Sequence, residues 1–361
     1  MDYNISYRKK DKGIQAIISY KDHTGKWRQK SKQGFKKQRD AKRYADKMLE
    51  ELKKSFELRK NIDLEYEGIT FKELVKIFTK QKELQNEYTT VNNIGFSVKK
   101  FEKLNDMKVE DIKPLHIQDC VNDMIKEGLM ISTIKEYLSK IRAIFNFAIN
   151  QYDIISKSPV RKILIPEEKR EEKKKALNKS ELKELLTKIT YEKFYIATLI
   201  ASNCGLRAGE ILGLTWDCVD LKNGILTVNK QWKKLSAGKW GLGPVKRKNS
   251  NRDVPIPPHV IKELKKFKKK EITDINNRVI LYADTVNFSK QISVYYKRIG
   301  FDISLHNLRH TYATMLIANG VDFKTAAKLL GHDVEMTLKT YSHVNDDMMN
   351  KATNVVNSIF K

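Results

Sequence analysis

The sequence predicts a multi-domain α+β chain: a small β-sheet-plus-helix N-terminal domain, an all-helical middle domain, and a mainly α C-terminal domain with a small antiparallel sheet. Three observations carry this. The 361 residues are more than one small domain needs. A β-rich alternation near the N-terminus gives way to apolar residues at helical spacing. A run with two prolines and dense mixed charge, SKSPVRKILIPEEKREEKKKA at 156–176, reads as a tether between compact parts.

Taken in order, GIQAIISY (13–20) alternates, DHTG (22–25) is a turn, and KWRQKSK (26–32) reads as a returning strand. Ala41, Tyr44, Ala45, Met48, Leu49, Leu52 and Phe56 then recur at helical spacing. That helix is expected to cover one face of the sheet and leave the other, rich in Lys and Arg, free. The next part, 62–154, is expected to be all-helical. Thr70 and Glu73 form a capping box. Pro114 and Gly128 bracket another helix, and Thr133 with Glu136 is expected to open a long one through Leu138, Ile141, Phe145, Ala148 and Tyr152. After the 155–175 tether, Asn178 and Glu181 give a further cap-like start.

Charge narrows the class of partner. Seventy Lys and Arg against 44 Asp and Glu leave a net +26, which points to a polyanion. Residues 1–60 alone hold 19 basic against 8 acidic side chains, a net +11. Membrane is the rival anionic surface, but the best apolar run, FYIATLIA at 194–201, is far short of the ~20 residues a spanning helix needs. The N-terminal MDYNISYRKKDKG has neither the apolar core of a signal peptide nor a lipidation pattern, so a cytoplasmic protein is expected. Cys120, Cys204 and Cys218 form no paired spacing and read as reduced structural thiols.

The C-terminal part concentrates the chemistry. SLHNLRHTYAT (304–314) crowds His306, Arg309 and His310 at a helix start, which suits a metal, an anion, or a surface cluster without a role. As a metal motif it lacks the glutamate of H-E-x-x-H, because position 307 is Asn. One helical turn puts residues 306 and 309 on one face and Leu305, Leu308, Tyr312 and Met315 on an apolar one. Upstream, Gly205 and Gly209 flank Arg207, with Glu210 three residues after it. A lysine-rich turn carrying Lys246 separates ILTVNKQW from RDVPIP, two stretches of strand character. Downstream, His332 follows a glycine and Tyr341 comes nine residues later. Taken singly, each is more often structural than functional.

Together, the ordered set G-L-R-x-G-E, lysine hairpin, H-x-L-R-H-T, L-L-G-H and a tyrosine nine residues on resembles the tyrosine recombinases, the lambda-type integrases of temperate phages and conjugative elements. The resemblance spans residues 202–344 and implies site-specific DNA cutting and rejoining through a 3′-phosphotyrosyl intermediate. Tyr341 would be the nucleophile, while Arg207 and Arg309 would stabilise charge on the scissile phosphate. Lys246, taken over its neighbours Arg247 and Lys248 for its spacing to RDVPIP, would protonate the leaving 5′-oxygen. His306 would assist proton transfer, His332 would hydrogen-bond the phosphate, and Glu210 would orient the site, with His310 in support.

The same resemblance implies an arm-type DNA-binding domain over residues 1–60, built as a three-stranded sheet plus helix, a core-site-binding domain over 62–154, and a catalytic domain over 176–361. It implies double-stranded DNA at core and arm sites as partner, a homotetramer on DNA, and a directionality factor and host DNA-bending protein as accessories. No metal or other cofactor is expected: Gly238-Lys239 has Lys at 233 and Trp at 240, which is no phosphate-binding loop. The tail 350–361, with Val355, Val356, Ile359 and Phe360, is expected to dock on a neighbouring protomer. Rival readings are a type IB topoisomerase and a DNA-binding regulator with an inactive site.

Overall fold

In the computed structural model, the described residues are 2–10, 13–21, 27–35, 37–66, 68–167, 176–246, 250–270 and 274–341. The turn expected at 22–25, Arg247, Lys248 and the tail at 350–361 lie outside them. The chain divides into two compact units, residues 1–169 and 170–361.

The first unit opens with β1 (Tyr3–Lys10), β2 (Gly13–Lys21) and β3 (Trp27–Phe35), an antiparallel sheet in the order β1-β2-β3, followed by α1 (Gln38–Glu65). Alternation along the strands puts Ile5, Tyr7, Ile14, Ala16, Ile18 and Phe35 against Ala41, Ala45, Leu49 and Leu52 of the helix. The sheet therefore has one covered and one open face. The open face differs from expectation. Register puts Lys30 and Lys32 in phase with Ile18 and Ala16, on the helix side, and Lys32 sits over the Tyr44 ring of α1. In phase on the other face are Asn4, Ser6, Arg8, Gln15, Ile17, Ser19, Lys21, Trp27, Gln29 and Ser31, mostly amides and hydroxyls around a central isoleucine. The long helix also passes through the boundary expected at residue 60.

A second core of the same unit gathers α2 (Phe71–Gln85), α3 (Tyr88–Lys99), α4 (Pro114–Lys126) and α5 (Ile131–Asn150). Thr70 and Glu73 cap α2 reciprocally, and Pro114 opens α4. Helix α5 starts at Ile131 with no side-chain cap, so Thr133 lies inside its first turn instead of before it. The segment read as a tether begins as part of this core: Val160 is buried, Ile155, Ile163 and Ile165 pack beside it, and Leu164 exchanges hydrogen bonds with Gln118.

The second unit runs α6 (Lys179–Lys188), α7 (Glu192–Cys204), α8 (Ala208–Gly213), β4 (Val219–Asp220), β5 (Ile225–Val228), β6 (Lys230–Ser236), β7 (Lys239–Pro244), β8 (Arg252–Pro255), α9 (Pro258–Lys270), α10 (Thr285–Arg298), α11 (Leu305–Ala318), α12 (Phe323–Leu330) and α13 (Val334–Tyr341). Strand β5 pairs with β4 and β8, while β6 and β7 form a separate ribbon inserted between them. Helix α7, apolar around most of its surface, runs through the main core. No helix among the described residues is long and apolar enough to cross a membrane.

Candidate active site

Local sequence places the first arginine. Helix α7 stops at Gly205, which adopts φ 67° and ψ 26°. Its missing side chain leaves room for Tyr312, whose Cδ1 would lie 2.4 Å from a Cβ there. The chain then turns so that Arg207 precedes α8, and Glu210 reaches back to accept from the Arg207 backbone N–H at 2.9 Å. Gly213 lets α8 sit directly on β6, since a Cβ would fall 2.5 Å from Gln231 Cα. Two glycines thus fix the height and direction of the Arg207–Glu210 turn.

Glu210 is 4% exposed and is ringed by three guanidinium groups. Arg207 donates to Oε1 at 2.7 Å, Arg252 to Oε2 at 2.9 Å and Oε1 at 3.3 Å, and Arg309 lies 3.8 Å away. Burial alone would push the Glu210 pKa up. The surrounding cations, led by Arg252, outweigh it and bring the carboxyl down to about 2. One carboxylate cannot neutralise three arginines, so the cluster retains two positive charges.

The same arginines comb the turn that carries His332. Arg252 Nε donates to the carbonyl of Leu329 at 2.7 Å, Arg309 donates to that of Leu330, and Arg207 to that of Gly331 at 3.4 Å. Three consecutive carbonyls at the end of α12 are held by three different side chains. Gly331 adopts φ 61°, and a Cβ there would meet Arg252 at 3.0 Å and Ser250 Cα at 3.1 Å. His332 follows immediately.

Arg309 is placed by α11, whose start is capped by Ser304 and Asn307. The asparagine that departs from the metal motif is therefore the partner in a capping box. Arg309 is buried at 1% exposure, donating to the carbonyls of Gly205 and Leu330 and to His332 Nε2 at 2.9 Å. A guanidinium has no acceptor, so His332 Nε2 must accept. The neutral ring then carries its proton on Nδ1, a buried atom without a partner among the described residues. Burial first, then Arg309, Arg207 and Arg252, drive the His332 pKa down to about 3. His306 faces His310, Nε2 to Nε2 at 3.0 Å, and is pushed below the ordinary histidine range by burial, Arg309 and Arg207.

Arg207, Glu210 and His332 open onto a cavity of about 230 Å³ lined also by Gln231, Lys246, Ser250, Gly331 and Met336, while His306, Arg252 and Arg309 are not part of its wall. Arg207, Lys246, Glu210 and His332 are thus brought together, with Arg309 directly beneath. Tyr341 is the last residue of α13, one short helix after His332, and its side chain lies outside the described residues. No group of three or more potential metal-ligating side chains occurs among the described residues. The geometry suits a tetrahedral or pentacoordinate oxyanion, with guanidinium groups gathered at and behind the cavity wall.

Sequence reasoning missed Arg252. Its signal was present: in RDVPIP, Arg252 is in phase with Val254 and Ile256, both buried, so the alternation turns a charged residue inward.

Comparison with known proteins matches residues 175–348 to the Phage integrase family, residues 5–52 to an Arm DNA-binding domain, and residues 70–125 to a Phage integrase, N-terminal SAM-like domain. The chain is 29% identical over 293 residues to the Tyrosine recombinase XerC-like protein of Caldanaerobacter subterraneus, covering 72% of this chain and 75% of that one. It is 25% identical to the ICEBs1 integrase of Bacillus subtilis, covering 77% and 80%. Among solved structures it resembles the Tn1549 transposon integrase in complex with transposon right end DNA, at TM-score 0.66 and 21% identity over 78% of this chain and 99% of that one. It also resembles a lambda integrase dimer bound to a COC′ core site, at TM-score 0.57 and 20% identity over 95% of each chain.

Proposed function

We infer that this chain, which belongs to the phage integrase family of tyrosine recombinases, is a site-specific DNA recombinase that cuts and rejoins duplex DNA to integrate and excise a mobile element. The observation that carries the mechanism is the arginine cluster around Glu210, two charges in excess, beside a cavity that Lys246 and His332 also line.

A scissile phosphate in that cavity meets Arg207, whose side chain is 36% exposed, with His332 in the cavity wall. Arg309 acts from below, lending its charge and fixing the His332 tautomer. The Tyr341 oxygen attacks phosphorus, the bond to the 5′-oxygen breaks, and a 3′-phosphotyrosyl ester forms. Lys246 gives its proton to the departing 5′-oxygen, while the tyrosine proton leaves towards His306. As charge builds on the non-bridging oxygens, the cluster is already oriented and desolvated, so little reorganisation is needed. Attack by another 5′-hydroxyl reverses the sequence and joins new partners. The phosphodiester energy is kept in the tyrosyl ester throughout.

The N-terminal sheet would read arm-site DNA. Its open face offers Asn4, Gln15 and Gln29, side chains that can pair with base edges in a major groove, with Arg8 and Lys21 for phosphates. Core sites, the homotetramer and accessory proteins belong to the same reading.

The test is a nicked suicide substrate made from the junctions of the element. Wild type should give a covalent protein–DNA band that Tyr341→Phe does not. Arg207→Ala should bind that DNA yet cleave it on the order of 10²–10³ times more slowly. DNA that is bound but never becomes covalently attached to wild type would favour a non-catalytic regulator, whereas covalent attachment with relaxation but no strand exchange would favour a topoisomerase.

A further inference from the structure

We propose that Arg252 is a positioning residue for strand cleavage: a buried guanidinium that ties the segment after Lys246, the Arg207–Glu210 turn and the His332 turn into one arrangement. This rests on the recombinase reading above.

Arg252 takes no place in the cavity wall, and its side chain is 1% exposed, so it does not meet DNA. Its donors go to four protein acceptors. Nε holds Leu329 O at 2.7 Å, NH1 holds Ser250 O at 3.0 Å and Glu210 Oε1 at 3.3 Å, and NH2 holds Glu210 Oε2 at 2.9 Å. The three residues that supply these acceptors belong to different parts of the site. Ser250 lies four residues beyond Lys246, at the base of the segment that carries it. Glu210 orients Arg207 through a 2.7 Å contact. Leu329 is three residues before His332, beside the carbonyl taken by Arg309.

The shape of the group matters as much as its charge. A planar fork with five N–H donors can span a carboxylate edge and two carbonyls at once, whereas a lysine ammonium is a point charge with three donors. Gly331 completes the fit: at its left-handed backbone angle a Cβ would press on the Arg252 guanidinium at 3.0 Å and on Ser250 Cα at 3.1 Å. Losing the fork leaves Glu210 with less to hold it in plane, and Arg207 swings with it. A displacement of about 1 Å in a phosphate-orienting group can cost on the order of 10² in rate.

The experiment is single-turnover cleavage at saturating DNA by full-length wild type, Arg252→Lys, Glu210→Gln and the double variant, with DNA affinity and thermal midpoint measured in parallel. Arg252→Lys should bind DNA within about twofold of wild type and cleave roughly 10²-fold more slowly. Because Arg252 acts through Glu210, the double variant should cleave about as slowly as the slower single variant, without multiplying the losses. Arg252→Lys keeps a charge there but loses the paired hydrogen bonds that help hold Glu210 low, so the acid limb of the cleavage rate should move to higher pH. Wild-type cleavage by folded Arg252→Lys, or losses that multiply while the acid limb stays put, would overturn the proposal. Should Arg252→Lys fail to fold, Glu210→Gln alone decides it: undiminished cleavage breaks the link. A wild-type protein forming no Tyr341-dependent covalent complex would instead remove the recombinase reading.

Discussion

His332 illustrates how much one donor atom can decide. With Nε2 accepting from Arg309, only a neutral ring fits the site, and protonation would set a cation against three neighbouring arginines. The folded pKa of about 3 lies below the ordinary 6.5, so the unfolded chain binds the extra proton first as pH falls. The stability this histidine contributes is complete above pH 6.5 and is lost progressively towards pH 3. Glu210 behaves likewise in a lower window, since its carboxyl at about 2 contributes fully above pH 4.5 and loses that contribution towards pH 2. Thermal midpoints measured from pH 7 to pH 5 should therefore fall more steeply for wild type than for His332→Gln, and parallel slopes would contradict the assigned tautomer. The cleavage rate should show no loss at the normal histidine pKa, its acid limb lying below pH 6.5, because His306 is also held neutral.

At the level of elements, legibility followed how local the determining contacts are. Thr70–Glu73 and Asn178–Glu181 carry both halves of a cap within four residues, so the starts of α2 and α6 could be read directly. Helix α5 begins without a side-chain cap, and its start was misplaced towards the nearest Thr–Glu pair. The open face of the N-terminal sheet was misread for a different reason: composition counts lysines, but register decides which side they occupy, and Lys30 and Lys32 fall in phase with the covered strand positions. In the second unit, five spaced signatures pointed to Arg207, Lys246, Arg309 and His332, whereas Arg252 needed the fold to show that an inward strand position ends on Glu210. Gly205 was visible as a residue but its demand was not. Gly205→Ala should destabilise the catalytic unit by about 1–3 kcal/mol, since a methyl would overlap Tyr312 at a left-handed backbone angle; an unchanged thermal midpoint would mean that α11 shifts freely.

Across the whole molecule, the net +26 should appear as a steep salt dependence. Each phosphate neutralised contributes about −0.9 to the slope of log affinity against log salt, so a contact with roughly six phosphates gives a slope near −5. A flat response in duplex binding titrations would be incompatible with the proposed partner. The arginine cluster has a consequence for the free protein as well. Three guanidinium groups around one carboxylate leave two positive charges unbalanced, a repulsion that a bound oxyanion would relieve. A tetrahedral or pentacoordinate anion such as vanadate should then act as a folding ligand, adding about 2.7 kcal/mol at a hundredfold excess over its dissociation constant. On this account the substrate phosphate supplies the last counter-ion of the native state, and part of the affinity for DNA is stability that the empty enzyme lacks.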